Sequence, residues 1–376
     1  MPLYIDIHIL QTVPPSNLNR DDTGNPKTAI YGGVRRARVS SQAWKKATRT
    51  AYGTYLDQSD LGTRTKRAVQ LLCKRMVELN PELSPEEARP KAAAVITALG
   101  IKLDAVKSKT AKKAEAAGEG IEEFETSQYL IFWSNRQLDR LAQLALSTDK
   151  PTKREAAAAA DQEHGIDVAL FGRMVADDAD FNVDASVQVA HALSTHAVDV
   201  EQDYFTAVDD ENPVNETGAG MIGTVDFDSA TLYRYATINV AGLQHNLAGD
   251  GEATVRAVEA FLSAFVRSMP TGKQNTFANR TPADCVVVAL RSDQPVNLVG
   301  AFEEAILAEA SHVRASAEAL VRHFHGVTEM LGGPERTYVA RSGGATASVD
   351  DLGSPQSLAE LVSAVGADVR ERIGVS

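Results

Sequence analysis

Two strand-forming regions flank a long helix-forming middle in this sequence, and that order restricts the folds open to the chain. Residues 4–10 alternate in character, with Ile5, Ile7 and Ile9 on one face, which is typical of a β-strand. Strand-like segments return only after residue 180, whereas residues 63–164 are rich in Ala, Lys and Glu. The order predicts an α+β fold, a sheet with helices on one face and an inserted helical lobe.

Local signals place several further elements. Val34 to Val39 reads as a strand, and Ser40-Ser41 as the N-cap of a helix that continues to about Tyr55. Segments 204–208 and 221–227 are expected to pair as a hairpin, although a long polar segment separates them. Further strands are predicted at 232–240 and 285–290, and further helices at 252–269, 300–324 and 356–372.

Charge is distributed unevenly along the chain, whose formal net charge is −12. Residues 1–75 carry 13 Lys and Arg against five Asp and Glu, while the remaining residues carry 25 against 45. This asymmetry indicates a basic surface on an acidic body. By itself it is equally compatible with a chance cluster of solvated helix and loop faces.

Several classes of protein are disfavoured. No apolar run reaches the 18 residues that a membrane span needs, so no membrane partner is expected. The N-terminus lacks the basic and apolar regions of a secretory signal. Cys73 and Cys285 are far apart in the sequence, and two lone thiols are typical of a reducing compartment. We therefore expect a cytoplasmic protein without structural disulfides.

The stretch from residue 19 to residue 49 combines a basic strand, a helix start and a basic helix. Because side chains alternate along a strand, Arg36, Arg38 and Ser40 are expected on one face. Ser40 would then open a helix whose first amide groups bind anions. The alternative is a basic helix face that only meets water. The predicted phosphate contacts are Arg20, Lys27, Arg36, Arg38, Ser40, Gln42, Lys45 and Arg49.

Three weaker signals lie further along the chain. Arg173 and Met174 follow a glycine, so Arg173 would pair with a phosphate while Met174 enters a base step, unless Met174 is a core residue. Phe205 lies in the predicted hairpin, where it would either stack on unpaired bases or pack on the sheet. Lys273 lies in a loop that lacks the spacing of a nucleotide-binding motif, so at most it lies near one phosphate.

Catalytic patterns are weak. Asp21 and Asp22 would suit a divalent metal, although adjacent carboxylates in a loop are more often solvated turn residues. His191 and His196 are five residues apart, which misses the i, i+4 spacing of two ligands on one helix face. We therefore expect a binding protein without cofactor or metal and without enzymatic activity.

Motifs spread over nearly the whole chain resemble the CasC family, which supplies the backbone subunit of type I-E CRISPR Cascade complexes. The N-terminal motif, Ile30-Tyr31-Gly32-Gly33-Val34-Arg35-Arg36-Ala37-Arg38-Val39-Ser40-Ser41-Gln42 with the basic helix after it, is the most specific. The other segments that carry the resemblance are 7–10, 15–22, 165–174, 190–196, 203–210, 233–239 and 273–277.

The resemblance implies a right-hand-like architecture. A palm resembling an RNA-recognition motif (ferredoxin-like) would carry an inserted helical finger lobe and a β-hairpin thumb. The implied boundaries are 1–62, 165–194 and 230–376 for the palm, 63–164 for the finger lobe and 195–229 for the thumb.

The resemblance also implies a function. Copies of the chain would line up head to tail along a CRISPR guide RNA, together with other Cascade subunits, and present the guide for pairing with target DNA in antiviral defence. By correspondence with the family motifs, the guide-backbone contacts would be Arg20, Lys27, Ser40, Gln42, Lys45 and Arg49, with Met174 as base wedge and Phe205 as thumb contact. Val34 replaces an expected basic residue, which removes one contact.

One alternative stays open on the same resemblance. Backbone subunits of related CRISPR effectors cut bound RNA with a loop aspartate, so a metal-dependent ribonuclease using Asp21 or Asp22 is the competing hypothesis.

Overall fold

The computed structural model of the chain describes residues 2–104, 124–160, 164–173, 182–207 and 221–375. The chain divides into two compact units. The first unit comprises Met1–Tyr55, Val187–Val240 and Val258–Ser376, and the second comprises Leu56–Ser186 and Ala241–Ala257. The second unit therefore extends beyond the predicted lobe of residues 63–164 at both ends and gains a further segment from later in the chain.

The described residues form thirteen strands and eleven α-helices. The strands are β1 Tyr4–Ser16, β2 Thr28–Tyr31, β3 Val34–Val39, β4 Gly62–Thr65, β5 Leu103–Asp104, β6 Thr126–Ser127, β7 Ile131–Ser134, β8 Val187–Val189, β9 Ala192–Ser194, β10 Glu201–Ala207, β11 Met221–Asn239, β12 Cys285–Arg291 and β13 Arg336–Arg341. The helices are α1 Ser41–Ala51, α2 Ala68–Leu79, α3 Pro85–Ala98, α4 Asn135–Ser147, α5 Lys153–Ala160, α6 Ile166–Phe171, α7 Val240–Asn246, α8 Gly251–Arg267, α9 Gln274–Phe277, α10 His312–Leu331 and α11 Leu358–Ile373.

A nine-stranded antiparallel sheet organises the first unit. Its main path runs β13-β12-β1-β11-β9-β3-β2, and β8 and β10 also pair with β11. The two strands predicted at 221–227 and 232–240 are one strand, β11, because the chain continues without a turn from its pairing with β10 into its pairing with β1. The fold is thus mixed α+β, with a large antiparallel sheet.

Helices cover both faces of this sheet, so the prediction of helices on one face is wrong. On one face of β11, Arg234 lies against the ring of Trp44 from α1 and the ring of Phe265 from α8. On the other face, Leu10 and Tyr233 share a hydrophobic cluster with residues of α10. Strand β1 between them is buried on both sides, since Ile7 and Asp6 are both fully inaccessible.

The predicted helix at 300–324 is displaced along the chain. Residues Leu298–Phe302 form a 3-10 helix, and the α-helix begins only at His312, where Ser311 supplies the N-cap. By contrast, α1 begins as predicted at the Ser40 cap, although it ends at Ala51 and continues as a 3-10 turn to Thr54. A capping side chain therefore sets the start of both helices.

The second unit has a hydrophobic core of its own. Helices α2, α3, α4 and α5 bury apolar residues such as Leu72, Val95 and Leu141 against one another. Ser84 and Ser134 begin α3 and α4 with capping boxes. Two small sheets, β4–β7 and β5–β6, accompany these helices, so the unit is not purely helical.

Candidate nucleic-acid interface

A groove of about 1460 Å³ opens on the first unit, beside helix α1. Its walls are the exposed side of α1 together with residues 266–271, 280–283, 340–342 and 356–358. Residues such as Val266, Met269 and Leu358 make part of its lining apolar. A concave surface with apolar and polar parts of this kind suits a ligand that has flat rings and charged groups.

Among the described residues, five basic side chains and no Asp or Glu line the groove, although the protein as a whole has a net charge of −12. Lys46, Arg267 and Arg280 are exposed, and Lys27 is half-buried. Arg341 is already paired with the carboxylate of Asp350 at 2.6 and 2.7 Å. The described carboxylates form no ion pair with the other four cations, so their charge is available to an anionic ligand.

Helix α1 presents Gln42, Lys46 and Thr50 to the groove, one side chain per turn. The same helix buries Trp44 and Thr48. The stripe predicted from the sequence consists of Lys45 and Arg49. These residues come one position before Lys46 and Thr50 and therefore point to another side of the helix. Both side chains are half-buried and neither lines the groove. Burial lowers the pKa of Lys45.

The loops before α1 supply part of the predicted set. Lys27 and the cap residue Ser40 line the groove, as does Gln42 from the first turn of α1. Arg20 is exposed and lines an adjoining concavity with Asn19 and Gly272. Lys273 takes a left-handed backbone conformation, with φ +48°, just before α9 and lies outside the groove lining.

Arg36 is buried, which contradicts its predicted contact with a phosphate. Its guanidinium donates to the carbonyl oxygens of Ser194 at 3.2 Å and Phe302 at 2.9 Å, and also to those of Tyr31 and Glu303. The side chains of β3 alternate between the two faces of the strand, as expected. The face that carries Arg36, however, packs against the end of the 3-10 helix, at Phe302 and Glu303, and not against solvent. Arg36 therefore holds the β2–β3 hairpin in place.

Arg38 is half-buried at the edge of the basic surface. It donates to the carbonyl of Thr28 and contacts Nδ1 of His191 at 3.1 Å. Burial, followed by the charges of Arg38 and Lys27, lowers the pKa of His191. The neutral ring can then accept a hydrogen bond from Arg38, which orients the guanidinium.

The start of α1 is a poorer anion site than the sequence predicts. The Ser40 hydroxyl accepts the amide of Ala43 at 3.3 Å. The Ser40 amide itself donates to Oδ1 of Asn19 at 2.9 Å. These two amide groups are satisfied within the protein, so Ser40 acts as a cap and contributes to the groove mainly by its position.

The predicted pair Arg173 and Met174 gives one correction. Arg173 is only 5% exposed, which contradicts its prediction as a surface phosphate contact. Its backbone pairs with that of Val183. Met174 lies outside the described residues.

The predicted hairpin is confirmed as the pairing of β10 with β11. Phe205 lies opposite Gly223, and a Cβ placed on Gly223 would come within 2.5 Å of the Phe205 ring. The ring therefore covers the glycine and is half-buried. Tyr204, Met221 and Ile222 are more than half exposed. The polar segment predicted between the strands, residues 209–220, lies outside the described residues.

The loop carboxylates Asp21 and Asp22 are both exposed. Asp21 accepts hydrogen bonds from the amide groups of Thr23 and Asn25 and from the Thr23 hydroxyl. The Thr23 hydroxyl and these amides lower its pKa. This is the bonding of a turn-forming aspartate. Within the described ranges, no three His, Cys, Asp or Glu side chains gather at one point.

Four residues that line the groove were not among the predicted contacts: Lys46, Arg267, Arg280 and Arg341. The i, i+4, i+8 series through Lys46 was visible in the sequence, but an equal series through Lys45 competed with it. Arg267 and Arg280 flank a short segment that contains Pro270, Gly272 and Lys273, and this is the only local signal for them. Their approach to α1 depends on pairing between distant parts of the chain.

The family model described as CT1975-like protein matches residues 5–364. None of the curated proteins matches the chain significantly. Within the described residues, no helix is long and apolar enough to cross a membrane.

Two solved structures match over nearly their whole length. One, described as "CRISPR RNA-guided surveillance complex, pre-nicking", is 32% identical, has a TM-score of 0.83, and the match covers 97% of this chain and 100% of that chain. Another, described as "CRISPR RNA-guided surveillance complex", is 28% identical with a TM-score of 0.74 and coverages of 97% and 99%. The chain therefore belongs to the CT1975-like family and is a CasC-like Cascade backbone protein, as its sequence motifs predict.

Proposed function

We propose that this protein binds the guide RNA of a CRISPR Cascade complex in the groove beside α1. The observation that carries the proposal is the lining of that groove, which in the described part of the chain has five cations and no carboxylate on a protein with a net charge of −12. Such a lining attracts a polyanion against the overall charge of the molecule. Apart from Arg341, which is paired with Asp350, these cations lie on four separate segments of the chain. A single small anion would not engage all four.

The groove suits single-stranded RNA for further reasons. Phosphates need cations at intervals, and Lys46, Arg267 and Arg280 supply them from three segments. Gln42 and Thr50 add hydrogen-bonding groups along α1. Tyr55, at 37% exposure, offers a ring on which a base can stack, worth about 1–3 kcal/mol.

Assembly of several copies on one guide RNA is the second part of the proposed function. Copies of the protein line up head to tail along the guide, a heterologous contact that generates an open helical filament. The β10–β11 hairpin acts as the thumb, the sheet as the palm and the second unit as the finger lobe. The guide bases left between thumbs pair with target DNA, so pairing reads the sequence while the protein holds the backbone. The protein acts in the cytoplasm with other Cascade subunits and catalyses no reaction.

The direct test replaces two exposed cations of the groove. We expect the double variant Lys46→Ala with Arg280→Ala to bind single-stranded RNA roughly 10- to 100-fold more weakly, because two charge-assisted contacts are lost. The slope of log affinity against log salt should fall by about 1.4, since each phosphate contact on a single strand contributes about 0.7. Fluorescence anisotropy at several salt concentrations measures both quantities.

The matched control removes two cations from the opposite face of the sheet. Arg314 and Arg322 are exposed on α10, so Arg314→Ala with Arg322→Ala should leave the slope unchanged. Lys45→Ala with Arg49→Ala tests the stripe predicted from the sequence. An equal loss in the α10 control would show that only net charge matters, and an unchanged slope in the groove variant would overturn the proposal.

A further inference from the structure

We infer that Arg234, which lies beneath the groove and cannot itself touch RNA, is a positioning residue for RNA binding; the inference rests on the function proposed above. Arg234 is 1% exposed at the centre of β11. Its guanidinium lies 3.7 Å from the ring centroid of Trp44 in α1 and 4.6 Å from that of Phe265 in α8. Two aromatic rings from two helices thus hold one cation.

Hydrogen bonds extend this contact to a third segment. Arg234 donates to the side-chain carbonyl of Gln11 at 2.6 Å, and it also donates to the main-chain carbonyl of Phe265. The amide group of Gln11 in turn donates to the carbonyl of Thr281 at 2.8 Å. A separate buried contact joins Thr48 of α1 to Ser268, with 3.3 Å between the hydroxyl oxygens.

These partners belong to three walls of the groove. Trp44 lies in α1 between Gln42 and Lys46, Phe265 comes two residues before Arg267, and Thr281 follows Arg280 directly. Arg234 therefore sets the spacing between the three exposed cations of the groove. Phosphates are spaced by the RNA chain, so a change in this spacing weakens binding even when every surface cation is present.

Arg234 also contributes to RNA binding through its own positive charge. Burial lowers the pKa of Arg234 to about 9, so the group stays protonated at neutral pH. No carboxylate in the described part of the chain pairs with it, and an unpaired buried charge costs stability. Because a buried charge is screened weakly, it also adds to the positive potential of the groove above it.

The test is Arg234→Met, which keeps an unbranched, flexible side chain and removes both the fork of donors and the charge. We expect RNA affinity to fall about tenfold under conditions in which urea unfolding shows the variant to be folded. Combined with Lys46→Ala and Arg280→Ala, its effect should be smaller than the sum of the separate effects, because misplaced cations and missing cations lose the same contacts. Arg234→Lys, which restores only the charge, should recover part of the affinity.

A second variant separates a loss of positioning from a loss of folding. Gln11→Met leaves the buried charge in place and removes both the Gln11 acceptor for Arg234 and the link to Thr281, so it should also weaken RNA binding, by a few-fold. If Arg234→Met and Gln11→Met bind RNA as tightly as the native protein while the Lys46 and Arg280 double variant does not, the inference is wrong and the proposed function stands. If the double variant also binds normally, the proposed function itself fails.

Discussion

Two residues of β11 carry buried charges of opposite sign. Arg234 has aromatic rings and carbonyl oxygens around it. Asp228 is 9% exposed and lies where β11 ends its pairing with β1 and begins its pairing with β10. It lines a small cavity together with Lys27 and Arg38. Burial raises the pKa of Asp228 to about 6. The carboxylate is thus held where its charged form is poorly solvated.

We expect Asp228→Asn to stabilise the protein at pH 8. The folded-state pKa, about 6, lies above the ordinary aspartate value of 3.8, so ionisation of Asp228 destabilises the native state. The cost, up to about 3 kcal/mol, is fully present above pH 6 and disappears as the pH falls from about 6 to below 3.8. Urea unfolding of both proteins at pH 8 and pH 5 measures it. A stability difference that is the same at both pH values would contradict this account.

At the scale of the element, the β10–β11 hairpin differs from the rest of the sheet. It is a two-stranded ribbon, and its exposed apolar side chains lie on both faces, with Tyr204 and Ile222 on one and Met221 on the other. A ribbon of this kind is marginally stable alone, so a partner that covers it would stabilise it. In the proposed assembly, that partner is the next copy on the guide.

We expect Phe205→Ala to impair assembly more than folding. Phe205 is half-buried over Gly223 and lies outside the main core, so its loss should lower the melting temperature by only a few degrees. Native mass spectrometry should then show fewer copies per guide RNA than with the native protein. Thr206→Ala, on the other face of the ribbon, is the control. A large fall in melting temperature would instead identify Phe205 as a core residue.

At the scale of the whole molecule, an acidic protein carries a basic groove. Under the proposed function, the surplus of carboxylates keeps copies from binding polyanions indiscriminately, while the local potential of the groove favours one strand. The exposed loop of Asp21 and Asp22 lies close in sequence to Lys27, so the ribonuclease alternative has a definite location.

We expect the purified protein to leave labelled guide RNA intact in the presence of Mg²⁺ or Mn²⁺. Asp21 is engaged in its own turn, and among the described residues no third His, Cys, Asp or Glu joins these two carboxylates. Gel electrophoresis after incubation, with and without a chelator, is the measurement. Cleavage that the chelator stops and that Asp22→Ala abolishes would establish the ribonuclease and end the binding-only interpretation.

Sequence by itself determined the features that depend on neighbours along the chain. The alternation of β1 and β3, the Ser40 cap of α1 and the family motifs were all readable, since each depends on residues a few positions apart. The hairpin was predicted from two strand patterns despite the long segment between them. The basic character of the first 75 residues also pointed to a polyanion.

Which charges are available to a ligand depends on how the chain folds. Arg36 and Arg38 have the same pattern in the sequence, yet Arg36 is enclosed by carbonyls of residues 194, 302 and 303. Lys46 faces the groove and Lys45 does not, because Trp44 is drawn into the core against Arg234, 190 residues away in the sequence. Burial depends on contacts between distant segments, and no local pattern contains them.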